Sequence, residues 1–101
     1  MYKDYLLDFH SMTKLNQLST LGKMIFWLSI CGRDTYCTES DGIENQSRLR
    51  RINELIHRIA SLHAQIASEN AESLDSFIDG IFNTIDHEIS LLKIKWSYLF
   101  G

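Results

Sequence analysis

Proline is missing from this chain altogether, although 101 residues at average usage would carry about five. The proline ring removes a backbone donor and clashes with the preceding helical turn, so its absence favours a chain that is mostly helix. Cysteine is scarce. Cys31 and Cys37 are the two in the sequence; their Cys-x5-Cys spacing is neither the Cys-x-x-Cys of redox motifs nor half of a paired zinc framework, which commonly needs four ligands. Cys31 reads as a small buried apolar residue and Cys37 as a loop residue, with neither a metal nor a cofactor expected.

Long hydrophobic runs are absent as well. The longest is MIFWL, residues 24–28, far short of the ~20 residues a membrane span requires, so no membrane partner is expected. The opening MYKDYLLDFH carries acids and only a short apolar stretch, which does not match a signal peptide. Together with the sparse thiols, this leads us to expect a cytoplasmic protein. A surplus of positive charge is also lacking. The net charge of -3 weighs against nucleic acid as a partner, since counterion release needs a basic face, and no glycine-rich phosphate loop is present.

What is present is helical periodicity over one domain, 1–101. Leu49, Ile52, Ile56, Ile59, His63 and Ile66 recur at steps of three and four, with Leu55 and Leu62 widening the stripe. This predicts a helix over 42–68, with Asp41 and Glu44 forming an acidic capping box. Leu74, Ile78, Ile81, Phe82, Ile85, Ile89, Leu92, Trp96 and Leu99 predict a second helix over 71–99, after a short turn at 68–71 centred on Asn70. Leu15, Leu18, Leu21, Ile25 and Leu28 predict a third over 13–31, stopped by Gly32 as a left-handed cap and followed by a loop over 33–41. Tyr2, Tyr5, Phe9 and Met12 point elsewhere on the wheel, so a break is expected near residues 10–13, with Ser11 or Thr13 as cap and 1–12 as an arm or short helix. The expected fold is all-α: three main antiparallel helices, up-down-up, plus the N-terminal piece.

Candidate sites are few. Glu54-Leu-Ile-His57 matches the Glu-x-x-His of di-iron bundles, but both side chains lie about 100° from the apolar stripe and no second copy exists. Asp86, His87 and Glu88 diverge by about 100° per residue, which is no catalytic constellation. His63, central in its stripe, predicts a polar core contact or pocket, with Glu88 on the next helix as partner. Arg48, Arg50 and Arg51 form the only basic cluster, a possible anion contact that Asp75, Asp79 and Asp86 could neutralise.

The strongest signal is surplus apolar surface. Met24, Phe26, Trp27, Phe77, Leu91, Trp96 and Tyr98 lie off or at the edge of the stripes, more than a thin bundle hides. They are the expected interaction surface. The function expected is protein–protein interaction by an adaptor, regulator or inhibitor without catalysis. Dimerisation would complete a larger helical bundle, a homodimer being the commonest solution. The alternative is a dimeric ligand-binding protein or enzyme with its pocket near His63 and the arginine cluster.

Overall fold

A computed structural model describes residues 2–37, 43–68 and 74–100. Among these residues the chain is helical without strands: α1 (Tyr2–Ser11), α2 (Lys14–Cys37), α3 (Ile43–Ala67), α4 (Asp75–Leu92) and α5 (Trp96–Phe100). The expected Asp41–Glu44 capping box and the 68–71 turn fall wholly or partly outside the described residues.

The helix boundaries have local chemical causes. At the α1–α2 break, the Thr13 Oγ1 accepts the Asn16 backbone N–H at 3.2 Å, the bond an N-cap side chain makes to the third helical position. Gln17 Nε2 reaches back to the Phe9 carbonyl at 2.8 Å, tying the last turn of α1 to the first turns of α2. Gly32 does not end α2, contrary to the sequence expectation, and the helix runs on through 33–37, so Cys37 is a helical and not a loop residue, while Cys31 is half-buried and not fully buried. A Cβ at Gly32 would stand 3.5 Å from Ile52 Cγ2 and 4.0 Å from Leu49 Cδ2, ordinary van der Waals distances, so Gly32 lies in the α2–α3 contact and makes no turn.

The helix expected over 71–99 is two helices. α4 stops at Lys93, which takes the left-handed conformation at φ 61° and ψ 35°. The Lys93 N–H bonds the Ser90 carbonyl at 3.2 Å and the Ile94 N–H bonds the Ile89 carbonyl at 2.8 Å. These are the paired bonds of a Schellman stop, completed by the two buried apolar side chains Ile89 and Ile94. A non-glycine residue in this conformation costs about 1 kcal/mol, and the turn persists because it sends α5 back over the core.

The helices form two layers. α2 and α3 make the most extensive contact and constitute one layer. In the other, α4 packs on α3, α5 packs on α2, and α1 packs on α4 and α5. Leu21, Met24 and Leu28 from α2, Ile52, Leu55, Ile59 and Leu62 from α3, and Phe82 and Ile85 from α4 fill the core between the layers. The second layer is aromatic. The Trp96 ring stacks between Tyr5 and Phe82, at 5.2 Å and 5.3 Å between centroids, with Phe100 edge-on to all three and Phe9 tilted against Phe82. The Trp96 indole Nε1 donates to Asp86 Oδ1 at 2.7 Å, which satisfies its polar edge in this packed setting.

Candidate interaction surface

The seven residues expected to form an exposed surface divide three ways. Met24 and Trp96 are corrected: both are core side chains, at 0% and 6% exposure. Met24 is inward because the buried face of α2 is centred on Leu21, Met24 and Leu28, and Trp96 is inward because the Lys93 stop turns it into the aromatic layer. Trp27 and Phe77 are half-buried against the core, Trp27 stacked on Tyr98 at 5.7 Å. Phe26, Leu91 and Tyr98 are exposed, at 66%, 50% and 57%. Phe26 and Trp27, adjacent in sequence, point about 100° apart, so they do not share one face.

The polar expectations also rearrange. His63 is half-buried, not a core residue, and it does not meet Glu88. Glu88 Oε2 instead accepts from Arg51 Nη1 at 3.0 Å. Arg51 lies twelve residues from His63 along α3, about 18 Å at the helical rise. Arg48 Nη1 donates to the Leu92 carbonyl at 3.1 Å. Two of the three arginines are therefore committed to the last turn of α4, where cations are favoured by the helix dipole. The compensating acid is Glu88, not Asp75, Asp79 or Asp86, and Arg50 is left on the surface. No group of His, Cys, Asp and Glu that could hold a metal occurs among the described residues.

A concavity of about 420 Å³ does exist, lined by His10, Lys14, Gln17, Ile66, Leu74, Asp75 and Ile78. It lies at the opposite end of α3 from the arginine cluster and contains neither His63 nor an arginine. Among the described residues, His63 and the arginine cluster are therefore not brought into one pocket.

The structure brings together a different surface. At 100° per residue, Leu15, Leu18, Gly22, Ile25, Ser29 and Gly32 fall within about 100° of arc on α2, on the side facing away from α4 and α5. Leu49, Asn53, Ile56, Ala60, His63 and Ala67 fall within about 80° on α3, on the same side of the two-helix layer. The proximity of Gly32 to Leu49 sets the antiparallel register of the two stripes. Leu18, Ile25, Gly32, Leu49, Ile56 and His63 are half-buried between the helices and the others are exposed, Leu15 at 76%. None of the twelve residues is Asp, Glu, Lys or Arg. Phe26 borders this face, about 70° from its centre on α2.

Sequence reasoning saw the apolar members of these stripes and assigned them to the core. The available signal was width. The α2 and α3 stripes each span more arc than one contact uses, because each contains an inward and an outward face. Comparison of the chain with protein families, curated proteins and solved structures gives no match.

Proposed function

We propose that this protein works by protein–protein association without catalysis, and that its working form is a homodimer in which the outer faces of two α2–α3 layers meet to form a four-helix core. In this reading the chain is an up-down-up unit of α2, α3 and α4 flanked by the short helices α1 and α5, acting in the cytoplasm as an adaptor, regulator or inhibitor. The observation that carries the reading is the uncharged two-helix face. Solvated helix faces normally carry charge, and here about five turns on each of two adjacent helices, 15–32 and 49–67, carry none on these arcs, the α2 arc being closed at its ends by Lys14 and Arg33.

Size supports it. The face is about 26 Å long and roughly two helix diameters wide, a corrugated surface of order 500 Å² in plan. That is at the upper end of apolar patches on monomers and approaches the ~800 Å² each partner covers in a standard interface. Leu15, Leu18, Ile25, Leu49 and Ile56 already have part of their surface covered, so burying the rest contributes about 1 kcal/mol each, roughly 10 for two copies. Association costs roughly 4–15 kcal/mol in lost freedom. The balance predicts a dimer that dissociates on dilution. Light scattering or sedimentation across a dilution series tests this: the mass should rise toward twice 11.7 kDa with concentration, and 11.7 kDa throughout rejects the proposal.

A further inference from the structure

We infer that the second copy packs with α2 against α2 and α3 against α3, each pair antiparallel, in a register that sets His63 of one chain against Asn53 of the other. The inference rests on the dimer proposed above and specifies its geometry.

The argument is self-complementarity. A twofold axis lying in the face and crossing the helices relates residue pairs with a constant sum. On α3, centring the axis between Ile56 and Ala60 pairs Ile56 with Ala60, Leu49 with Ala67 and Asn53 with His63. On α2, centring it between Gly22 and Ile25 pairs Ile25 with Gly22, Leu15 with Gly32 and Leu18 with Ser29. Each bulky apolar side chain then meets a small residue, and the two polar side chains of the α3 stripe meet each other. A Cβ placed on Gly22 touches nothing within 4 Å, so the hollow that Ile25 of the second copy would fill is open.

The two centres lie at one level. The Gly32–Leu49 and Gly32–Ile52 contacts place the midpoint of the α2 stripe beside the midpoint of the α3 stripe to within about one residue, 1.5 Å of rise. One axis therefore satisfies both helices. The charges nearest to it, Lys23 on α2 and Arg58 on α3, are exposed and point more than 100° away from the face; the charges on the α2 arc itself, Lys14 and Arg33, are opposed by the same sum at the two ends of the contact, about 14 Å from the axis, where water screens their repulsion. The other twofold arrangement, with its axis along the helices, sets Ile25 against Ile56 and Gly22 against Ala60, leaving a bulge beside a void, which close packing disfavours. It also sets His63 against Leu18.

Cysteine pairing tests the register. With Cys31 and Cys37 replaced by serine, Asn53→Cys and His63→Cys chains are oxidised alone and as a mixture. The mixture should form the cross-linked dimer at least about tenfold faster than either chain alone, because positions 53 and 63 oppose each other while each lies about 15 Å from its own copy. Equal rates in all three samples, or faster linkage in either single variant, overturn the register. Gly22→Leu gives a second readout. It adds helix propensity to a monomer with open space at that position, so circular dichroism should show an intact fold, while filling the hollow should weaken dimerisation about 100-fold. Unchanged dimerisation in that variant places α2 outside the contact and overturns the inference. A wild-type chain that stays monomeric in light scattering rejects the dimer itself, whereas a dimer with the wrong linkage pattern rejects only this geometry.

Discussion

The two layers of this molecule solve the problem of burial differently. The α1–α4–α5 layer is aromatic and one-sided. On α4, Ile78, Ile81, Phe82, Ile85, Ile89 and Leu92 are buried along one stripe, and most of the opposite face is polar. The α2–α3 layer is aliphatic and two-sided, with one face under the aromatic layer and an uncharged face turned outward. A one-sided layer is finished by folding. A two-sided layer is left with apolar surface that folding of one chain does not cover, and that remainder is where association is expected.

The largest effect should come from breaking the aromatic layer. Phe82 is fully buried and touches Phe9, Trp96 and Phe100 through its ring. Phe82→Ala is expected to cost about 3–5 kcal/mol in urea unfolding of the monomer, because the loss of a large ring leaves a cavity. Asp86→Ala leaves the Trp96 indole N–H without its 2.7 Å acceptor, and a loss of about 1–3 kcal/mol by the same measurement is expected. Lys93→Gly should act in the opposite sense. Removing the Cβ from the left-handed stop should raise stability by up to about 1 kcal/mol and move the thermal midpoint upward; a lower midpoint would show that the Lys93 side chain contributes more than its backbone costs. The smallest folding effect is expected on the outward face. Leu15→Ser, at a position 76% exposed, should change monomer unfolding by no more than about 0.5 kcal/mol while reducing the dimer fraction in sedimentation. A monomer destabilisation as large as that of Phe82→Ala would remove the distinction between the layers.

Parts of this architecture were legible in the sequence because they depend on local chemistry. The absence of proline and the three-and-four spacing of apolar residues implied an all-helical chain, and Thr13 stood where a hydroxyl could cap a new helix. Other features depended on what lay opposite. Gly32 resembles a helix stop, yet it lies inside α2, where it packs against Ile52 of α3. Lys93 carries no stop signal, since neither glycine nor proline marks the turn. Its left-handed conformation is held by what the turn accomplishes, bringing Trp96 onto Phe82 and within reach of Asp86. His63 looked central in its stripe because the stripe itself was two faces merged, and Glu88 was taken by Arg51, more than three helical turns nearer the start of α3.

The sequence alone therefore determined that the chain would be helical and that apolar residues would outnumber the places available in a small bundle, since both follow from periodicity and composition along one strand of residues. The tertiary structure decided which of those residues face inward. A helix such as α2, apolar around much of its circumference, specifies no inner side by itself; the side is chosen when α5 and the rest of its layer pack on one flank, which buries Met24, half-covers Ile25 and leaves Leu15 and Phe26 facing out.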